Sequence, residues 1–249
     1  MTETSFKKIF TVLEAVIAHQ DNGLSFSDVA AETGLPRASV HRALKGLVDL
    51  GYLNYNPETK RYRGALKLAN LGSEVVGHFD LREHARPYLL EMHRNTGHTC
   101  NMGIKNGNRG IHIDKVEAQD YGIKLCSEVG KSFPLHCTGM GKSLLAWSPQ
   151  EEVDAVLAEP LEVFTEKTVR NPDDLRELLQ KIRGQGYSLD DEEITRGMMC
   201  VAAPVFGIDG HVIAAISVTF PTYVSTERGL DREIETIKHY AAAIGGAVE

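Results

Sequence analysis

The sequence predicts an α+β chain: a winged helix-turn-helix over residues 1–63, a joining helix over 64–79 and a mixed domain over 80–249. Three observations carry this reading. The stretch GLPRASVHRALKGLVDLGYL, Gly34 to Leu53, reads as a recognition helix running into the first strand of a wing. A length of 249 residues exceeds one small module and suits two domains. From Asp80 onward, helical periodicity alternates with apolar strands.

The first helix is marked by Phe6, Ile9, Leu13, Val16 and Ile17 and ends at Asp21-Asn22-Gly23. Ser25 followed by Asp28 is a capping-box variant that starts a short second helix, Phe26 to Glu32, with Val29 and Ala30 facing inward. Thr33-Gly34 makes the turn. Pro36 then suits the first turn of a third helix, and Gly51 stops it. Along that helix Val40, Leu44 and Leu47 form a stripe to be buried, while Ala38, His41, Arg42 and Lys45 share another face at i, i+3, i+4 and i+7. Two amphipathic helices of an ordinary bundle would show similar periodicity. The free face favours DNA, because Arg37, His41, Arg42 and Lys45 stand there with no acid until Asp49. Ser25, Ala38 and Ser39 complete the expected contact set.

Residues 52–55 and 60–63 flank a turn at Asn56-Pro57-Glu58-Thr59 and read as a β-hairpin. Lys60, Arg61 and Arg63 make its second strand basic, which suits a wing against phosphate, although a surface hairpin with incidental charges fits the same residues. Ala65 to Phe79 is richer in apolar residues than a solvated linker requires, so this helix is expected to pack between copies in a dimer.

In the second domain a helix is expected from Leu81 to Asn95, with strands at 99–104, 111–116 and 121–126. PLHCTGMGKSLLAW, residues 134–147, is a loop feeding a helix that starts near Thr138 to Gly141. Helices follow at 149–157 and 172–183, then a hairpin of two long strands, Met199–Phe206 and Val212–Phe220, and a last helix from about Thr226 to Ala247.

Charge and cysteine usage narrow the function. The chain carries 27 Lys+Arg and 34 Asp+Glu, a formal −7, which argues against a protein that coats nucleic acid. The asymmetry is local: residues 1–79 hold 9 basic and 8 acidic side chains, and the acid lies in the second domain. No apolar stretch approaches the ~18–20 residues that span a bilayer, and Glu14 and His19 interrupt the N-terminal apolar run, so a cytoplasmic protein is expected. Cys100, Cys126, Cys137 and Cys200 form no CxxC pair, which points to neither a zinc site nor a disulfide framework. No metal and no cofactor is expected.

Three segments of the second domain carry polar chemistry. In HCTGMGK, residues 136–142, Thr138, Gly139 and Gly141 open a helix whose N–H groups can receive a carboxylate. GMGKS lacks the upstream glycine of GxxxxGK[ST], which disfavours nucleotide hydrolysis. In GYSLDDEEITRGMMC, residues 186–200, the run Asp190 to Glu193 suits a metal, paired catalytic carboxylates or, as most such runs do, solvated surface. Cys200 enters an apolar strand as a nucleophile or as a small buried residue. In AISVTFPT, Ser217 and Thr219 alternate with Ile216 and Val218, so both hydroxyls share a strand face.

Together, GLPRASVHRAL, PLHCTGMGK, GYSLDDEE, GMMCVAAPVF and AISVTFP occur in the order found in the IclR family of bacterial transcriptional regulators, which the chain resembles over nearly its full length. Within that family IHIDKV, residues 130–147 and SVTFPT look most like the branch that includes the 2-keto-3-deoxygluconate repressor. The resemblance implies a dimeric or tetrameric regulator that binds double-stranded operator DNA, with a GAF-like second domain that binds a small organic acid. It further implies a pocket of Gly139, Met140, Asp190, Cys200, Ser217 and Thr219. Thr138 belongs with the helix-opening loop, and Lys124 is a further candidate that adds positive charge. Met140 and Met198-Met199 depart from the family's usual residues, as does Gly64-Ala65 after the wing. The competing readings are an enzyme with Cys200 as nucleophile and a histidine as base, and a redox sensor working through its thiols.

Overall fold

The computed structural model describes residues 5–77, 80–118 and 127–247. The chain divides into two compact units, Met1–Val75 and Val76–Glu249.

The first unit comprises α1 (Ser5–Ala18), β1 (Leu24–Ser25), α2 (Phe26–Thr33), α3 (Arg37–Asp49), β2 (Leu53–Asn56), β3 (Arg61–Gly64) and most of α4 (Leu66–Gly77). Val12, Leu13 and Val16 of α1 pack with Val29 of α2 and Val40, Ala43, Leu44 and Leu47 of α3. The buried ridge of α1 runs Ile9, Val12, Leu13, Val16, an i, i+3, i+4, i+7 set. Phe6 and Ile17, expected in that stripe, stand 76% and 40% exposed because they flank the ridge rather than lie on it. The capping box of α2 is formed: Asp28 N–H donates to Ser25 Oγ, and Ser25 N–H donates to an Asp28 carboxylate oxygen. The hairpin turn is held by Asn56 Oδ1, which accepts the N–H groups of Glu58 and Thr59. A two-residue strand that sequence periodicity is too short to reveal, β1, pairs with β3 and makes the order β1-β3-β2.

The second unit is built on a six-stranded antiparallel sheet of order β6-β5-β4-β9-β8-β7. In chain order its elements are α5 (Asp80–Thr96), β4 (Thr99–Asn106), β5 (Arg109–Val116), β6 (Ser132–Pro134), α6 (Gly139–Ala146), α7 (Gln150–Leu157), α8 (Pro172–Gln185), β7 (Ser188–Asp191), β8 (Met198–Phe206), β9 (Val212–Pro221), α9 (Thr222–Arg228) and α10 (Asp231–Ala247). Strand alternation divides the core. Val201, Ala203 and Val205 of β8 pack with α5 and α10 on one face, whereas Ala202 and Ala215 pack with α6, α7 and α8 on the other. The result is an α/β/α sandwich around a curled sheet, as the fold expectation requires.

Three expectations need revision. The last helix is two, because Gly229 at φ +72° breaks the run between α9 and α10. The edge strands β6 and β7 are three and four residues long, too short to show a period. The expected strand at 121–126, with Lys124 and Cys126, lies outside the described residues.

Candidate functional site

In the first unit, burial of Val40, Ala43, Leu44 and Leu47 turns the opposite side of α3 outward. Arg37, Ala38, His41, Arg42 and Lys45 are exposed there, with Ser39 half-buried at the margin. Phe26, at the start of α2, organises part of this face: the Arg37 guanidinium lies 4.8 Å from its ring centroid, and the His41 ring meets it edge-on. Ser25 is occupied in capping α2.

Two wing residues carry a duty that sequence did not reveal. Arg61 donates to the Gly23 carbonyl at 2.6 Å, and Arg63 donates to that of Asp21 at 2.9 Å. Both guanidiniums therefore brace the wing against the α1–β1 turn. Lys60, at φ +55° where the turn re-enters the strand, is exposed.

In the second unit a cavity of about 370 Å³ opens on the α6 face of the sheet, within the usual range for small-molecule sites. Thr138, Gly139, Met140, Asp190, Cys200, Ser217 and Thr219 all line it. Residues separated by 80 positions meet because β9 lies at the centre of the sheet, where Thr219 pairs with Thr99 on one side and with Cys200 on the other, and Cys200 pairs with Asp190. Thr138 caps α6: its Oγ1 accepts the Gly141 N–H at 3.0 Å and donates to the Pro134 carbonyl at 2.7 Å. That leaves the unpaired first-turn N–H groups of Gly139 and Met140 to meet a ligand. Gly139 has to lack a side chain, since a Cβ there would lie 3.0 Å from Cys200 Sγ and 3.2 Å from Ala202 Cβ.

The acidic run is not solvated surface throughout. Lys142, the largest of the fully buried side chains, forms an ion pair with buried Glu193. Asp191 and Glu192 turn outward and share Lys167 at 3.0 and 2.7 Å. Asp190 faces the cavity, where it accepts the Glu193 N–H at 2.8 Å. Burial, only partly offset by the Lys142 charge, pushes its carboxyl up to about 7. The same desolvation pushes the Cys200 thiol up to about 12. That thiol is protonated at neutral pH, the opposite of what a nucleophile or a redox sensor needs. Among the described residues, no three of His, Cys, Asp and Glu converge as a metal site.

Sequence reasoning missed the other half of the cavity wall. Asn101, His112, Ser127 and Phe133 contribute from β4, β5, the segment before β6, and β6 itself. Asn101 Oδ1, His112 Nδ1 and Ser127 Oγ are buried without a hydrogen-bond partner, a condition that costs about 1–3 kcal/mol per group. No local pattern marks them, because each becomes a wall residue only through strand pairing.

An exposed basic recognition helix and a polar cavity under a helix N-terminus are what a ligand-responsive DNA-binding protein requires. The IclR helix-turn-helix domain matches residues 5–57, and the bacterial transcriptional regulator IclR C-terminal domain matches residues 73–245. The chain belongs to the IclR family. It is 36% identical over 230 residues to the HTH-type transcriptional regulator XynR of Escherichia coli K12, covering 92% of this chain and 89% of that one. To the regulator KdgR of the same organism it is 32% identical over 241 residues, 96% of this chain and 90% of that one. The crystal structure of Thermotoga maritima IclR superposes with a TM-score of 0.70 at 30% identity, over 97% of each chain. This IclR-family chain is therefore a DNA-binding transcriptional regulator with an effector-binding second domain, and its relatives are regulators rather than enzymes. No described helix is long and apolar enough to cross a membrane.

Proposed function

We propose that this regulator is a repressor that holds a palindromic or direct-repeat operator as a dimer or tetramer, and that a small hydroxylated or keto monocarboxylic acid in the second-unit cavity changes its DNA affinity. The observation that carries the reading is the pairing of opposites in that cavity. The α6 N-terminus favours an anion, whereas Asp190 repels a second carboxylate and welcomes a hydroxyl. A monoacid bearing hydroxyls or a keto group satisfies both.

On the DNA, Arg37, His41, Arg42 and Lys45 enter the major groove, with Ala38 and Ser39 at its edge, while Lys60 and the remaining N–H groups of Arg61 and Arg63 meet phosphate. One winged module buries too little surface for typical specific affinity, so two are required. Leu66 and Leu71 of α4, 81% and 46% exposed, supply an apolar contact between copies. A monomer by light scattering at micromolar concentration, with a single half-site footprint, would contradict the dimer.

The test is a set of binding isotherms on upstream genomic DNA with and without candidate acids, alongside calorimetry of the acids themselves. Asp190→Ala and Ser217→Ala should abolish the response to acid while retaining DNA affinity without it. If sugar acids and short keto acids give no heat, and Asp190→Ala still responds to the true effector, the proposed pocket is wrong.

A further inference from the structure

Strand β5 carries a bulge whose effect reaches the cavity. Asn101 pairs with Lys115 and Met102 with Asp114, but the register then slips, so that Gly103 faces His112 and Ile113 is left over. A bulge of this kind re-aims the side chains that follow it. With unbroken alternation His112 would pair with Ile104, on the face packed against α5 and α10. Instead it joins the cavity wall, stacked on Phe133 with ring centroids 4.7 Å apart. Phe133 is seated over two glycines, where a Cβ on Gly103 or Gly110 would come within 2.7 or 2.1 Å of its ring. The imidazole is thus held from below and from the side.

His112 is 7% exposed and Asn101 3%, yet His112 Nδ1 and Asn101 Oδ1 have no partner. Two such groups beside one cavity, with the Ser127 hydroxyl as a third, are acceptors or donors awaiting a ligand. Their position defines a second end. Gly139 sits over Cys200 on β8, and β9 and β4 intervene before β5, so the α6 N-terminus and His112 are separated by three strand spacings, about 14 Å of backbone. A three-carbon acid covers about one such spacing. The inward reach of the Asn101 and His112 side chains closes the rest for a longer chain.

We propose that His112 and Asn101 form a distal subsite that reads hydroxyl groups, so that the effector is a polyhydroxylated monocarboxylate of about five or six carbons rather than a short keto acid. This rests on the acid-binding reading above and sharpens it. The carboxylate lies at α6, and the chain runs across Ser217 to His112. The imidazole serves as a neutral partner: burial and the nearby Lys115 and Lys131 charges hold it down at about 4.

Calorimetry on the full chain tests this with three probes: a panel of five- and six-carbon aldonates, hexanoate and pyruvate. At least one aldonate should bind tenfold or more tighter than both others. In His112→Phe, which keeps the stack on Phe133, and in Asn101→Leu, the preference for that aldonate over hexanoate should fall toward one, with His112→Gln retaining part of it. Thermal melts identify any variant that fails to fold, and the wild-type ranking stands without the variants. If pyruvate binds as tightly as every aldonate, or if folded His112→Phe and Asn101→Leu keep the full preference, the distal subsite is overturned while acid binding survives. If no acid binds, both readings fail together.

Discussion

The two units handle polar groups in opposite ways. In the first, the chemistry faces water: Arg42 and Lys45 stand exposed on α3, and the nearby caps and turns satisfy their own backbone. In the second, the chemistry faces inward: an ion pair, a carboxyl and several unpartnered atoms surround a cavity. Exposed charge loses little by waiting for DNA, because water solvates it. Buried polarity is destabilising until something binds, so the inward groups record the shape of the missing ligand.

Removing one charge from each unit should separate these modes most widely. Lys142→Met leaves the Glu193 carboxylate buried without its partner and should destabilise the second unit by about 3–5 kcal/mol. Lys45→Ala should change the stability of the first unit by no more than about 0.5 kcal/mol. Urea unfolding of the full chain reads both. Near-equal effects would break the comparison, and Lys142→Met/Glu193→Gln should recover most of the loss.

For function the weight reverses. Arg42→Ala should weaken operator binding by roughly 1–3 kcal/mol if the guanidinium reads a base edge, with little effect on scrambled DNA. Arg63→Ala should weaken all sequences alike and also loosen the wing, since Arg63 is tied to the Asp21 carbonyl. Isotherms on the two DNAs decide; unchanged operator affinity in Arg42→Ala removes its base-reading role.

The same contrast explains what could be read from sequence. The helix-turn-helix is a local construction, in which the Ser25-Asp28 box, the Val40-Leu44-Leu47 stripe and the intervening cations lie within one stretch of about 25 residues. The long strands β8 and β9 were legible from their apolar runs, and the α6 start from Thr138 and its glycines. Asp190, Cys200, Ser217 and Thr219 were reached through family resemblance, and all of them line the cavity. His112 was not, because its direction depends on a bulge in strand pairing. Lys142 looked like a surface lysine in a helix start until Glu193, 51 residues on, folded over it.

Acidity offers a subtler separation. Asp190 titrates at about 7 against 3.8 in an open chain. Between those values the folded state binds more protons than the unfolded, so this group's contribution to stability is full below pH 3.8 and lost as pH rises through 7. An anionic effector prefers the protonated carboxyl. Its affinity should therefore fall about tenfold, roughly 1.4 kcal/mol, between pH 6 and 8. The other charged groups around Asp190 and the cavity are Lys142, Glu193, Arg109, Lys131 and Glu162, while His112 is neutral across that range. Calorimetry at both pH values in wild type and Asp190→Asn checks this; a pH slope that persists in Asp190→Asn assigns the proton elsewhere.

The smallest expected difference is between two helix caps of the same design. Ser25 and Thr138 each accept one N–H at the start of a helix, at 3.2 and 3.0 Å. Ser25→Ala should cost the first unit about 1 kcal/mol, and Ser25→Asn should restore it, because an amide oxygen caps as well as a hydroxyl. Thr138→Ala should cost about 2 kcal/mol, since Thr138 Oγ1 also donates to the Pro134 carbonyl and the lost bonds lie beside the cavity rather than at an exposed helix end. Thermal melts measure both. If the two alanine variants lose equal stability, solvent reaches the α6 N-terminus as freely as it reaches α2, and the cavity cannot strengthen an anion's hold on that helix end in the way effector binding requires.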